Sequence, residues 1–383
     1  MLFTRAFELR GDRVRSIRLL SAFLGLALVA AAAGELEIPL PEGVLPPEIP
    51  ADNPLTAAKV ELGRKLYFDA RLSAKGNIAC ATCHSPATGF ADPRGQKTSA
   101  GGDGLFGPRN TPTTLNAAFL AEQFWDGRAA TLEEQAVLPF INPIEMGVPD
   151  HPALEKLVAG LPDYPPLFRA AFGSEEVNVD RIGKAIASFE RTLISLSAPI
   201  DRFLAGETAA IGDAAKRGWE LFNGKARCNT CHGHVGAFPL FTDELYHNIG
   251  VGTKDVAFES LAKRAREAAV SPEVFEKLAF EADASALGRF IVTREQKDIG
   301  AFKTSPLRNV ALTAPYMHDG SEATLLAVVE LYDRGGEPNP YLDGGMRPLG
   351  LTDPEKADLV ELLKTFTSED LDRFRDLVRL IPE

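Results

Sequence analysis

The chain is poor in cysteine, in strand-like patterning and in positive charge. Its 383 residues include four cysteines, all confined to two copies of one pentapeptide, so no thiol remains for a separate redox or metal site. Runs that alternate apolar and polar residues are scarce, which argues against a sheet-based architecture and for a mainly α fold. Acidic residues outnumber basic ones, 53 against 41, for a net charge of −12. Such a surface disfavours nucleic acid and suits a basic protein partner, although an acidic soluble protein needs no partner at all. Hydrophobic runs long enough to span a bilayer are also missing. The longest, from Leu19 to about Ala33, follows five arginines and ends in small residues around Ala31-Ala32-Ala33. That is the pattern of a secretory signal over residues 1–33, with an uncleaved anchor as the other reading. Cleavage would remove five Arg together with Glu8 and Asp12, taking the charge from −12 to −15. The apolar fraction, 45%, excludes a disordered chain, and the length suggests two domains.

What is present is Cys80-Ala81-Thr82-Cys83-His84 and, again, Cys228-Asn229-Thr230-Cys231-His232. In a C-x-x-C-H run the two thiols can form thioethers with the vinyl groups of a haem while the histidine ligates its iron. A four-cysteine zinc site would not need a histidine after each pair. A thioredoxin-like pair would sit in a βαβ pattern, which neither copy has. Disulfides stay open for an exported chain. Two covalent c-type haems are therefore expected, held by Cys80, Cys83, Cys228 and Cys231, with His84 and His232 as axial ligands. Export agrees, because c-type haem is attached outside the bacterial cytoplasm.

Residues 34–52 form a proline-rich strap that reads as extended. Leu55 to Asp69 has helical spacing, with Val60, Leu62, Leu66 and Tyr67 on one face. A related run, Ala215-Lys216-Arg217-Gly218-Trp219-Glu220-Leu221-Phe222, precedes the second pentapeptide. Each reads as a helix feeding a haem loop, so the chain is expected to be two cytochrome c-type domains related by internal duplication, 53–204 and 212–383. The Ala/Gly-rich stretch from Ala205 to Asp213 marks the boundary. Val179 to Phe203 is expected as one helix with Asp180 as N-cap, and Asp353 to Val378 as another with Pro354 in its first turn. Residues 254–286, charged and alanine-rich, read as inserted surface helices.

Three further runs carry a resemblance: Phe124-Trp125-Asp126-Gly127-Arg128, Asn142-Pro143-Ile144-Glu145-Met146-Gly147, and the stretch from Leu307 to Gly320 that ends in Met317-His318-Asp319-Gly320. With the haem motifs, from about Asn53 to the C-terminus and leaving out the insertion, the chain resembles the bacterial di-haem cytochrome c peroxidases, in their MauG-like branch. The resemblance implies that hydrogen peroxide reacts at the N-terminal haem and that electrons from a small cytochrome or copper protein enter at the C-terminal one. Glu145 matches the acid/base residue, whose pKa an apolar pocket made by Pro143, Ile144 and Met146 would raise. Trp125 matches the indole that relays electrons between the haems, while Gln135 and Pro139 match positions lining the peroxide pocket. Asn110, Thr313 and Pro315 stand where the family holds a calcium ion. His318 and His247 are expected near the haems, and His151 and His234 on the surface. The resemblance leaves a homodimer open and implies a periplasmic location.

Two departures sharpen the expectation. Many relatives block the resting peroxide iron with a histidine in the loop after the first motif, but no histidine lies between Ser85 and Thr131. An open iron face is expected there, with Lys97 as the alternative ligand. At the second haem the family register places Tyr332 where the familiar peroxidases carry methionine, and a phenolate favours ferric iron. A buried Tyr332 with Met346 or Met317 as ligand is the other reading. The leading function is periplasmic peroxide reduction. The alternatives are a MauG-like oxidase of protein Tyr or Trp side chains, against which Ala226 replaces a surface Trp, and a non-catalytic electron-transfer cytochrome.

Overall fold

Two glycines set the way the helices cross. In the computed structural model, which describes residues 34–382 apart from 235–237 and 239, the expected export signal lies outside the described residues. The helices that build the site are α1 (Ala57–Phe68), α2 (Leu132–Ile141), α3 (Val179–Glu190), α4 (Asp213–Asn223), α5 (Phe258–Glu267), α6 (Pro272–Phe280), α7 (Leu325–Asp333) and α8 (Asp353–Lys364). Helix α1 lies against α3 so closely that a Cβ on Gly63 would sit 1.8 Å from the Ala185 carbonyl oxygen. Helix α4 meets α8 in the same way, with the Asp358 carbonyl oxygen 2.2 Å from a Cβ on Gly218. Any side chain at either point would force the helices apart, so both crossings depend on glycine.

Residues 34–382 belong to one compact unit, and three buried clusters are the largest in it. The first gathers Leu62, Leu66, Tyr67, Phe90, Phe140 and Phe189 around α1, α2 and α3. The second gathers Phe222, Phe241, Leu359, Leu362 and Phe366 around α4 and α8. The chain's end crosses back, since Phe374 packs edge-on against Phe90 with ring centroids 5.3 Å apart. Among the described residues one antiparallel ribbon, Tyr246–His247 with Phe302–Lys303, is the whole of the sheet structure. The fold is therefore largely helical, as the scarcity of alternating runs implies.

Several local expectations need correction. Helix α3 ends at Glu190, and its N-cap is Asn178, whose side-chain oxygen accepts from Arg181 N at 2.9 Å; Asp180 stands in the first turn. The chain then leaves the helical path, and the Asn116 side chain takes both backbone polar groups of Ser195, at 2.7 and 2.9 Å. Pro199 starts a separate short helix, Pro199–Leu204, and biases the residue before it away from helix. Helix α8 likewise stops at Lys364, and the Asn309 side chain accepts from Ser368 N at 2.9 Å. A 3-10 segment, Leu371–Leu380, follows.

The insertion is more than surface. Helices α5 and α6 bury Phe258, Ala262, Leu278 and Ala279 with Phe290 and Ile291 in the third cluster. Residues 34–52 hold no helix and turn at Glu42-Gly43, and Leu36 N donates to Leu55 O at 2.9 Å.

A series of local structures recurs along the chain. Asn116 and Asn309 both adopt a left-handed φ of 61° and open a single 3-10 turn. Phe124 and Met317, at φ 68° and 72°, are left-handed again, just before Trp125-Asp126-Gly127 and His318-Asp319-Gly320. Thr131 and Thr324 then cap α2 and α7. In this register Trp125 corresponds to His318, and Pro139 to Tyr332.

Candidate active site

Both pentapeptides open on one cavity of about 470 Å³, lined at one end by Cys80, Cys83 and His84 and at the other by Cys228, Cys231 and His232. All four thiols are unpaired, and burial pushes Cys83 up to about 11 and Cys228 to about 12. The two histidines are held alike. His84 Nδ1 is 3.0 Å from the Pro112 carbonyl oxygen, and His232 Nδ1 is 2.9 Å from that of Phe241. A carbonyl only accepts, so each Nδ1 carries the proton and each Nε2 keeps its lone pair. Burial lowers the pKa of both rings, which favours the neutral, ligating form. Paired thiols, a histidine with a basic Nε2 and apolar walls that include Ile78, Ile186, Val329 and Leu363 fit a covalently attached haem at each end.

Above the first pentapeptide, α2 and the turn after it bring Gln135, Pro139, Glu145 and Met146 to the cavity. Glu145 lines that cavity and is half-buried. Burial, with the neighbouring Glu276 charge, raises its pKa to about 8, and Arg128 only partly opposes this. The apolar wall differs from the expected one, because Pro143 is exposed while Met146 is buried. Phe280, from the insertion, lines the cavity as well. Lys97 is exposed, and its backbone carbonyl accepts from Asn110 Nδ2 at 2.9 Å.

Trp125 lines the same cavity. Its Nε1 donates to Asn110 O at 2.8 Å, and its ring meets His318 edge-on at 6.5 Å. His318 in turn stacks on Phe302, with centroids 3.5 Å apart and planes 10° from parallel. At the second end Tyr332, on α7, faces the cavity near Cys228 and Cys231, and burial pushes its phenol pKa up. Met317 and Met346 line the cavity too. His247 is bracketed by Asp343 at 2.7 Å and Asp243 at 3.0 Å beside Cys231. His234 is exposed, as expected, whereas His151 is partly buried at the start of the helix His151–Ala159. Asn110, Thr313 and Pro315 reach the same cavity from distant parts of the chain. Because Asn110 Nδ2 is used by Lys97 O, its Oδ1 is the atom left to face a cation.

One buried network escapes a residue-by-residue reading. Asp126, with no exposure, takes Arg109 Nη1 at 2.5 Å and Arg128 Nη1 at 3.1 Å. Arg128 Nε also donates to Glu276 Oε2 at 2.7 Å, and its guanidinium lies 3.5 Å over the Phe124 ring. Asp126 and Arg128 lie in the Phe-Trp-Asp-Gly-Arg run, but Glu276 sits in the insertion and no motif marks it.

Comparison with known proteins agrees with this geometry. Residues 57–209 match the family model described as di-haem cytochrome c peroxidase. The chain is 40% identical over 322 residues to the methylamine utilization protein MauG of Methylorubrum extorquens, covering 84% of this chain and 81% of that one. It is 37% identical over 367 residues to the cytochrome-c peroxidase IdrP1 of Denitromonas iodatirespirans, covering 92% and 93%. Among solved structures, a MauG-like protein associated with microbial copper homeostasis superposes with a TM-score of 0.72 at 33% identity, over 88% of this chain and 97% of that one. The chain belongs to the di-haem cytochrome c peroxidase family.

Proposed function

We propose that the protein reduces hydrogen peroxide to water at the cavity end lined by His84, drawing electrons from a small donor protein through the end lined by His232. The observation that carries this reading is Glu145, a carboxyl held near pH 8 beside the first pentapeptide. When bound, the haems supply the redox equivalents and, at the first site, the iron that polarises the O–O bond. The chain's own residues move the proton. Glu145 as carboxylate would take a proton from one oxygen of peroxide and return it to the other as the O–O bond breaks, the two electrons being supplied through the haems and two further protons from solvent completing two waters. Gln135 orients the peroxide by hydrogen bonding, and Pro139 and Met146 keep the pocket dry. Trp125, tied at its Nε1 and in edge contact with His318, is the relay between the two ends. A calcium ion held by Asn110 Oδ1 and carbonyls of Thr313 and Pro315 would tie the two halves together.

The recurring turns, caps and glycine crossings support an origin by internal duplication, with domains at 53–204 and 212–383. An N-terminal signal would deliver the chain to the periplasm, and among the described residues no helix is long and apolar enough to cross a membrane. A second reading, oxidation of a protein substrate in the manner of the MauG-like branch, draws support from Tyr332. Against it, Ala226 is buried and carries no aromatic ring.

Stopped-flow absorption of the ferric holoprotein mixed with peroxide tests both readings. A peroxide-dependent change in the Soret region is expected, and a flat trace would leave only electron transfer. Tyr332→Phe is expected to alter the absorption and spin-state signature of one haem and leave the other unchanged. A sulfur-to-iron charge-transfer band in the wild type would instead identify methionine as the ligand.

A further inference from the structure

We propose that Glu276, carried on the inserted helix α6, is a positioning residue for Glu145, fastening the turn that bears it to the buried Asp126 cluster next to Trp125. The inference rests on the reading of Glu145 as the proton-transfer group.

The turn leaves α2 at Asn142, which accepts three of its hydrogen bonds. The Asn142 carbonyl accepts from Glu145 N at 3.1 Å and from Gly147 N at 2.9 Å, and its side-chain Oδ1 accepts from Ile144 N at 2.9 Å. The remaining group, Nδ2, donates to Glu276 Oε1 at 3.1 Å. The second oxygen of Glu276 accepts from Arg128 Nε at 2.7 Å, and Arg128 holds Asp126 through Nη1. One carboxylate thus joins the turn of the acid/base residue to the segment that carries Trp125. Asn142 is 2% exposed and the Arg128 side chain 3%, so water is not available to replace Glu276 on either partner. From the other side, Gly102 N donates to Glu145 O at 2.8 Å and pins the turn's far end.

Glu276 also sets the local charge. The charged groups facing Glu145 are Glu276 and Arg128, with Cys80 and Cys83 on the pentapeptide side, uncharged once bound as thioethers. Asp126 and Arg109 lie behind Arg128. Asp126 and Glu276 together balance the two arginines. Replacing Glu276 by a neutral amide leaves Arg128 less compensated and stabilises the ionised form of Glu145. The amide also cannot accept from Arg128 and Asn142 as a carboxylate does, one oxygen to each.

The test is an infrared pH titration of the holoprotein, following the protonated-carboxyl band that disappears in Glu145→Gln. Glu276→Gln is expected to lower the midpoint of that band by about one pH unit and to slow the reaction with peroxide about tenfold through misplacement of the turn. Haem content by pyridine haemochromogen should be unchanged. Glu276→Asp keeps the charge on a shorter arm, so its midpoint should stay near the wild-type value while the reaction remains slow. A midpoint and rate in Glu276→Gln equal to those of the wild type would overturn the proposal. Should the wild type not react with peroxide, the proton-transfer reading fails, yet the infrared midpoint still decides whether Glu276 controls Glu145.

Discussion

Glu145→Gln is expected to slow peroxide cleavage by about 10²–10⁴-fold, the usual contribution of a positioned acid/base group, while both haems stay attached. The variant retains size and shape, and none of the four cysteines, nor His84 or His232, shares a backbone hydrogen bond with Glu145. The pH profile gives a second signature. If the carboxylate is the base, the wild-type rate should rise as pH passes through about 8, where Glu145 ionises, and the rate of the Gln variant should not show that rise. Stability should respond in the opposite sense. A carboxyl whose pKa is raised in the folded state contributes stability that is fully present below its unfolded value near 4.5 and is lost as pH rises through about 8. Glu145→Gln removes that loss, so the variant should gain on the wild type in thermal denaturation as pH rises from about 4.5 to about 8, the interval spanned by the shift, with the gain levelling off above it. Stopped-flow rates and melting curves over this range check both parts. An unchanged rate would rule out the acid/base role.

Asp126→Asn should have the largest effect on the fold. Asp126 is fully buried between Arg109 and Arg128, so removing its charge leaves two buried guanidinium groups with Glu276 as their remaining carboxylate. Breaking a buried ion pair from one side costs about 3–5 kcal/mol, and thermal denaturation of the holoprotein should show a loss of that size. Acid titration gives an independent readout. Burial alone would raise the Asp126 pKa, but Arg109 and Arg128 override it and bring it down to about 2 from 3.8. A carboxylate depressed in the folded state contributes stability present above its unfolded value and lost as pH falls through the folded one. The wild type should therefore lose stability between about pH 4 and pH 2 by a margin that Asp126→Asn does not show. A variant as stable as the wild type would mean that the cluster is strain rather than support.

The helices most legible in sequence are those with strong periodicity and a clean cap. Leu62, Leu66 and Tyr67 do lie on the buried face of α1, and Thr56 caps it through Lys59 N. The errors at α3 and α8 share a physical cause. At each, an asparagine from far along the chain, Asn116 or Asn309, bonds backbone groups beyond the helix end and draws the chain off the α-helical path. Periodicity in residues 191–203 and 365–378 cannot reveal a partner that arrives through tertiary contact. The insertion misled for the same reason, since charge and alanine describe its outer face and say nothing of Glu276 and Phe280 turned toward the site.

By itself the sequence determined the attachment chemistry and the helical class. Cysteine and histidine in C-x-x-C-H spacing carry their function within five residues, and a helix needs only its own neighbours to form its hydrogen bonds. Tertiary structure alone decided the rest. It brought the two pentapeptides to one cavity, set Trp125 against His318, and buried Asp126 between two arginines. It also raised Glu145 to about 8, with Glu276 from a distant segment as a neighbouring charge. These properties come from desolvation and through-space charge, which depend on what surrounds a residue rather than on what precedes it in the chain.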